Sequence, residues 1–77
     1  DVLPNPSNTY FSLVIRSNNE NPVWVRVTNI VGQIVEGYEK IASNTTLQFG
    51  HKLSTGTYFV EIIQKEQRRM MKIIKVN

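Results

Sequence analysis

The chain has no cysteine, one histidine, one tryptophan and three prolines in 77 residues. Without cysteine it can form neither a disulfide nor a thiolate metal site, and a lone histidine cannot build a Cys/His zinc cluster. No hydrophobic run approaches the roughly 20 residues that a membrane-spanning helix needs. No signal peptide is visible. A chain this short forms one domain, whose burial must come from shared sheet faces.

Catalytic residues are also scarce. The only histidine, His51, lies in a Gly-His-Lys turn, where a solvated side chain is the common role. The six acidic residues show no paired or metal-ligand spacing, and there is no Gly-x-Ser-x-Gly elbow or glycine-rich phosphate loop. We therefore predict that the chain is not an enzyme and uses no metal and no cofactor.

Helical periodicity is missing, and apolar residues alternate with polar ones instead. The alternating positions predicted to face the core are Phe11, Leu13, Ile15, Val23, Val25 and Val27. The predicted strands cover residues 10–16, 23–28, 33–38, 45–49, 58–63 and 68–76, with a connection at 39–44. Turn signals recur at a spacing of about 8–12 residues, which favours an immunoglobulin-like or fibronectin-like β-sandwich of six or seven short antiparallel strands.

Two turns carry specific expectations. Pro4 and Pro6 lack amide donors, so residues 2–6 form an edge strand or a rigid lead-in, and Asn8 is the best candidate for a left-handed backbone in the turn that follows. In the hairpin turn at 29–32, Asn29 can fold its side chain onto the backbone and Gly32 suits a positive φ. The turn residues Ile30 and Val31 are unusually apolar, which indicates either packing on their own sheet or a contact surface for a partner.

The end of the chain is predicted to be a hairpin. Ser54, Thr55 and Gly56 form a tight turn in which Gly56 is able to take a positive φ, and Tyr58 follows near the start of the penultimate strand. In immunoglobulin-like sandwiches a tyrosine at this place bonds back to the backbone and fixes the corner. We therefore predict that the Tyr58 hydroxyl bonds to a backbone group between residues 44 and 54.

The positive charge is concentrated in this last segment. Residues 64–77 carry five basic residues and one acidic residue, whereas the remaining sequence is slightly acidic, within a total charge of +3. Neither face of the last strand is purely basic and no aromatic residue lies in it, so we predict no nucleic-acid partner. The strand is either an edge strand protected by charge or a surface for an acidic partner, and both are compatible with pairing by β-augmentation.

Three blocks of sequence together resemble the C-terminal sorting domain of the type IX secretion system of Bacteroidetes. They are Leu3-Pro4-Asn5-Pro6-Ser7-Asn8 with Phe11, then Val27-Thr28-Asn29-Ile30-Val31-Gly32-Gln33-Ile34-Val35, and then Leu53-Ser54-Thr55-Gly56-Thr57-Tyr58-Phe59-Val60 continuing through Lys72-Ile73-Ile74 to Asn77. The resemblance covers nearly the whole chain. Thr9 stands where the family often has glycine, and Asn29 where it often has aspartate.

This resemblance implies that residues 1–77 are a single sorting domain at the end of a larger exported protein. Because Asp1 is not methionine, we expect a cargo domain and any targeting segment upstream. The implied function is to direct folded cargo from the periplasm across the outer membrane to the cell surface or the medium. The implied partners are the translocon and a sortase-like protease, which often removes the domain and joins the cargo to anionic lipopolysaccharide.

The resemblance also points to the residues that carry the signal. They are Pro4, Asn5, Pro6, Gly32, Leu53, Gly56, Tyr58, Lys72, Ile73 and Val76. Our hypothesis is that the machinery reads the final hairpin, with Gly56 and Tyr58 fixing its geometry and Lys72 supplying charge.

Two other classes of function stay open at this point. In a carbohydrate-binding or adhesive module, Trp24, Tyr10 and Tyr38 would form an exposed aromatic platform. A structural spacer would instead tolerate changes in the terminal hairpin that leave folding intact. Pairing of two chains through their edge strands is also compatible with the sequence.

Overall fold

The computed structural model describes residues 2–4, 6–18 and 20–76. Within these residues the chain forms seven strands and no helix, which confirms the all-β prediction. The strands are β1 (Val2–Leu3), β2 (Phe11–Ile15), β3 (Val23–Asn29), β4 (Ile34–Ile41), β5 (Thr45–Phe49), β6 (Gly56–Gln64) and β7 (Gln67–Lys75).

The strands build two sheets that face each other as a sandwich. The smaller sheet has the order β1-β2-β5 and the larger has the order β4-β3-β6-β7, with every pair antiparallel. The predicted immunoglobulin-like or fibronectin-like sandwich is therefore confirmed. The short β1 lies at an edge of the small sheet, as the prolines indicated, and β4 and β7 are the two edges of the large sheet.

The core lies between the sheets and consists of the residues that the alternation selected. All six predicted positions of β2 and β3 are buried, and Phe49, Tyr58, Val60 and Ile73 join them. The rings of Phe11 and Phe49 stack across the β2–β5 pair with centroids 5.7 Å apart. Each buried side chain of this kind contributes about 1.5–3 kcal/mol relative to an exposed one, so the period-two pattern is the main source of stability.

Two local predictions were wrong. The strand predicted at 33–38 continues to Ile41, so the connection to β5 is only three residues long. Asn8 does not take a left-handed backbone; among the described non-glycine residues Lys40, Asn44 and Lys65 have positive φ. The turn at 7–10 needs no such residue because the Ser7 hydroxyl donates to the Tyr10 carbonyl at 2.6 Å and accepts from the Thr9 amide at 3.2 Å.

A carboxylate in β4 links the large sheet to the loop after β5. Oε1 of Glu36 accepts a hydrogen bond from the Tyr38 hydroxyl at 2.8 Å and another from the Gly50 amide at 3.1 Å. The Tyr38 ring packs edge-on against Phe49, with centroids 6.4 Å apart. Burial, together with the bond to the Glu36 carboxylate and its negative charge, raises the pKa of Tyr38 from 10.0 to about 12.

This shift predicts a loss of stability at high pH. The folded state keeps the phenol of Tyr38 protonated where the unfolded state has already released the proton, so the contribution is complete below pH 10 and is lost as the pH rises through about 12. Urea unfolding across this range should show a falling unfolding free energy, and Tyr38→Phe should flatten the slope. Tyr10→Phe, the matched control, should keep it. Identical slopes for the Tyr38→Phe variant and the parent would contradict the assignment.

Candidate functional site

The three sequence blocks, which are far apart in the chain, meet at one end of the sandwich. In the large sheet Asn29 of β3 pairs with Tyr58 of β6, and Tyr58 pairs with Ile73 of β7. Ser7, from the first block, forms a parallel bridge with Lys75 at the end of β7. We call this end, made of residues 7–10, 29–34, 50–58 and 73–76, the motif end.

Ser7 joins the beginning of the chain to its last strand. Its amide donates to the Ile74 carbonyl at 3.1 Å, and its carbonyl accepts from the Val76 amide at 2.8 Å. Ser7 is buried between these partners. This contact could not be predicted from the sequence, because a serine after a proline is an ordinary turn residue. Pro6 precedes Ser7 and Val76 follows β7, so two predicted signal residues are brought to one place.

Tyr58 occupies the corner as predicted. Its hydroxyl donates to the Ser54 carbonyl at 2.8 Å, within the predicted span, and its ring is buried in the core. Gly56 opens β6 with a φ of +159°, so the predicted positive φ is confirmed, at a value close to extended backbone. The bond from Tyr58 fixes how β6 enters the large sheet.

The tight turn lies slightly earlier than predicted, at residues 50–53. The Leu53 amide donates to the Gly50 carbonyl at 3.2 Å, and Gly50 has a φ of +84°. A β-carbon at Gly50 would also lie 2.9 Å from the ring of Phe11. Both the backbone conformation and the close approach therefore require glycine here. Leu53 is partly buried and packs against the core.

Lys75, counted with the basic residues of the last strand, is in fact buried. Only 5% of its surface is exposed, and its Nζ donates to the carbonyl of Gly50 at 2.5 Å and to that of His51 at 3.4 Å. These carbonyl oxygens compensate the ammonium group for the water it loses. The side chain thereby ties the end of β7 to the loop between β5 and β6. Nothing local in the sequence distinguishes it from an exposed lysine such as Lys72.

The hairpin turn between β3 and β4 is rigid for the predicted reason. Oδ1 of Asn29 accepts from the amides of Val31 at 3.1 Å and Gln33 at 2.9 Å. The Gly32 amide donates to the Asn29 carbonyl at 3.0 Å, and Gly32 has a φ of +87°. Asparagine therefore makes the backbone bonds expected of it in this turn.

The apolar residues of this turn point into solvent. Ile30 and Val31 are each 74% exposed, and Ile34 next to them is also exposed. The interpretation that the turn packs against its own sheet was wrong. Adjacent exposed aliphatic side chains on a fixed turn are unfavourable in water and are typical of a surface that another molecule covers. The alternative that the sequence left open, a contact surface, is the one the geometry favours.

The closing strand β7 lies at a sheet edge, as one interpretation of its charges predicted. Lys72 is exposed on the outer face of the large sheet, opposite Phe59. On the same face Glu61 pairs with Arg68 at 2.9 Å and with Arg26 at 2.5 Å. The outer face is therefore a mixed surface of ion pairs and apolar groups.

The other predicted signal residues fall into two groups. Pro4 and Pro6 are exposed, whereas Ile73 is fully buried and Val76 is partly buried. Asn5 lies outside the described residues. A fully buried Ile73 can shape the motif end but cannot touch a partner while the domain is folded. The role of each of these residues in recognition stays a prediction.

The three aromatic residues proposed for a carbohydrate platform do not all lie together: Trp24 and Tyr38 line one surface pocket of about 570 Å³, and Tyr10 lies outside it. Trp24 is exposed at the start of β3, where it pairs with Ile63 at the end opposite the motif end. Tyr10 stacks on His51 with ring centroids 5.3 Å apart, and Tyr38 packs against Phe49. These residues do not form one platform.

Metal-ligand geometry is likewise missing from the described ranges. They contain no group of three or more His, Cys, Asp or Glu residues that could hold a metal ion. Nor do they include a helix long and apolar enough to cross a membrane.

Comparison with known protein families identifies the family that this chain resembles over almost its full length. A family model described as a secretion system C-terminal sorting domain matches residues 1–76. None of the curated proteins compared with the chain matches it. The matched range includes the seven described strands and the three blocks that meet at the motif end, the third as far as Val76.

The buried lysine generates a stability prediction. Lys75→Met keeps most of the apolar stem but leaves the Gly50 and His51 carbonyls without their charged donor. We expect the unfolding free energy to fall by about 1.5–3 kcal/mol. Lys52→Met, which changes an exposed lysine in the adjacent turn, should change it by less than about 0.5 kcal/mol. Equal urea midpoints for the two variants would show that the Lys75 contacts do not stabilise the fold.

Tyr58, the corner tyrosine, generates a second stability prediction. Tyr58→Phe retains the buried ring and removes the hydroxyl's bonds to the Ser54 carbonyl at 2.8 Å and to the Ser54 hydroxyl at 3.3 Å, so we expect a loss of about 1 kcal/mol in unfolding free energy. Tyr10→Phe, which keeps the ring that stacks on His51, serves as the control. If both variants unfold at the same urea concentration as the parent, the corner bond has no energetic role.

Proposed function

The chain belongs to the family of type IX secretion C-terminal sorting domains, and from this premise we propose that the export machinery recognises it through the folded motif end. A sorting domain of this family acts as an address: it directs the secretion of the protein that carries it. The family is not a catalytic one.

The observation that carries the proposal is the convergence of the three blocks. The blocks are far apart in the sequence, and it is the pairing register of β3, β6 and β7 that brings the second and third blocks together. The bridge from Ser7 to Lys75 adds the first block. A stability requirement alone would spread such residues over the whole core. Their concentration at one end supports a shared role in recognition.

The motif end combines a rigid frame with an apolar contact. Ser7, Tyr58 and Lys75 make the hydrogen bonds that fix the frame. Ile30 and Val31 project from it, and burying an aliphatic side chain of this size against a partner contributes about 1.5–3 kcal/mol before the cost of association. This surface exists only in the folded domain, so recognition would select chains that have folded.

The closing hairpin, residues 56–76, takes part in the same surface through its open end. In this proposal Gly56 and Tyr58 set the geometry of the hairpin, and Lys72 supplies exposed positive charge on its outer face. The partly buried Val76 is positioned by its bond to Ser7.

Later steps follow from the same premise. The domain would leave the periplasm with its cargo, reach the cell surface through the translocon and be removed there by a sortase-like protease. That protease would join the cargo to anionic lipopolysaccharide or release it. The chemistry would belong to the protease, and the present domain would be its substrate.

A secretion assay tests the recognised surface. The domain is fused to a folded periplasmic reporter in a type IX-competent host, with Ile30→Ser and Val31→Ser combined in one variant. Because these side chains are exposed, the variant should fold with a nearly unchanged unfolding free energy, within about 0.5 kcal/mol. The reporter should nevertheless accumulate in the periplasm, as measured by fractionation.

Trp24→Ala is the matched control, because it removes an exposed apolar side chain at the opposite end of β3. It should leave surface display intact. Normal display of the Ile30 and Val31 variant would contradict the proposal, and glycan binding that disappears with Trp24→Ala would favour a carbohydrate-binding module instead.

A deletion of residues 71–77 should also strand the reporter in the periplasm. It removes the buried Ile73 and Lys75 together with the end of the hairpin, so the loss of folding and the loss of the signal coincide. Normal display of this truncation would exclude the closing hairpin as part of the signal.

A further inference from the structure

The sandwich is open on one side: among the described residues only the short β1 lies near the gap between β2 of the small sheet and β7 of the large sheet. β1 pairs only with Ser12 and Leu13 of β2, and the Ser7 bridge closes the gap at the motif end of β7. Away from that bridge a cleft of about 740 Å³ runs between residues 13–17 and residues 67–71. It lies on the side of the molecule that the motif end does not cover.

The cleft stays open because of the two prolines. Ser7 bonds to the outer edge of β7, but Pro6 has no amide hydrogen with which to continue this seam. The chain before Pro6 belongs instead to the other sheet, where Leu3 pairs with Ser12. The edge of β7 from Gln67 to Met71 is left without a described neighbouring strand.

This edge presents backbone groups to the outside. In an antiparallel strand successive residues direct their backbone groups alternately to the two sides. The Ile74 carbonyl and the Val76 amide both face Ser7, so the even-numbered residues of β7 face outward. Arg68 and Met70 therefore direct their amides and carbonyls to the open edge, where no described strand pairs with them. Such an edge is a template for an added strand.

The side chains of the cleft combine apolar surface with positive charge. Its apolar part includes Val14, Ile62, Met71 and Met70; Met70 is 60% exposed, and its side chain lies at the rim, on the outer face of β7. Methionine adapts its shape to a bound chain more easily than branched residues do. Three arginines also line the cleft, at positions 16, 68 and 69, and none of the residues that line it is acidic.

Arg69 is a charged residue at a position of β7 whose side chain faces the opposite sheet, which is unusual. It pairs with Ile62, on the face of β7 that further along buries Ile73. An arginine at this place remains exposed only because the opposite sheet stops short of it. Among the described residues neither Arg16 nor Arg69 has an ion-pair partner, whereas Arg68 is paired with Glu61. Two cations are thus available to a ligand in the cleft.

We propose that the cleft between β2 and β7 binds an extended acidic segment of a partner protein, which adds as a strand to the edge of β7. The amides and carbonyls of Arg68 and Met70 pair with its backbone. Its carboxylates lie on the inner face against Arg16 and Arg69, and its apolar side chains lie on the other face of the added strand, against Met70. This site is separate from the motif end and does not depend on the proposed role in export.

The test uses the intact protein and a defined peptide. A blocked seven-residue peptide, Ser-Val-Glu-Val-Glu-Val-Ser, is titrated into the protein while amide NMR shifts are recorded. The amides of Arg68 and Met70 should move and become protected from exchange. The same peptide with lysine in place of glutamate should bind at least about tenfold more weakly.

Charge variants locate the site. Arg69→Glu should weaken peptide binding by at least about tenfold, and Arg16→Glu should have an effect in the same direction. Lys52→Glu makes the same change of charge on an exposed turn at the motif end and should leave the affinity unchanged. All three side chains are exposed, so the fold should survive, as unchanged amide spectra away from the cleft would verify.

Several results would overturn the proposal. Equal affinity of the parent and the Arg69→Glu variant would remove the charge argument, and shifts confined to β4 or the motif end would remove the location. A heparin fragment that binds the cleft more tightly than the peptide would identify a polyanion site. Concentration-dependent shifts along β7 without peptide would identify a second copy of the chain as the occupant.

Discussion

The structure depends on how the last strand is fixed in the sandwich. β7 is an edge strand, so among the described strands it has a pairing neighbour, β6, on only one side. Here Ile73 is buried in the core, Ser7 bonds to the outer edge, and the Lys75 ammonium group reaches two carbonyls of the loop after β5. These contacts connect the end of the chain to its beginning and to the opposite sheet.

This closure has a consequence for recognition. The same contacts that fix β7 also fix the positions of the β3–β4 turn and the corner tyrosine, since all belong to one end of one sheet. A surface built in this way disappears when the domain unfolds. An address that exists only in the folded state would let the proposed recognition select folded domains, and it would give a buried residue such as Ile73 an indirect part in the proposed signal.

Much of this fold could be predicted from the sequence because the relevant signals are local. The alternation of Phe11, Leu13 and Ile15 defines a buried face within one strand, and Asn29 makes its bonds within its own turn. Tyr58 could be predicted because it bonds only four residues away, to Ser54. The contacts of Ser7 and Lys75 could not be predicted, because each joins segments that only the tertiary fold brings together. The exposure of Ile30 and Val31 was undecided for the same reason: an apolar turn residue is buried or exposed according to what else packs on the sheet.

The central claim is that the folded motif end touches the export machinery. Site-specific photo-crosslinking during export tests this contact directly, with a photoreactive residue placed either at Val31 or at Trp24. The account predicts a crosslinked product with a component of the translocon from position 31 and none from position 24. A product from position 24 alone, or an equal yield from both positions, would contradict it.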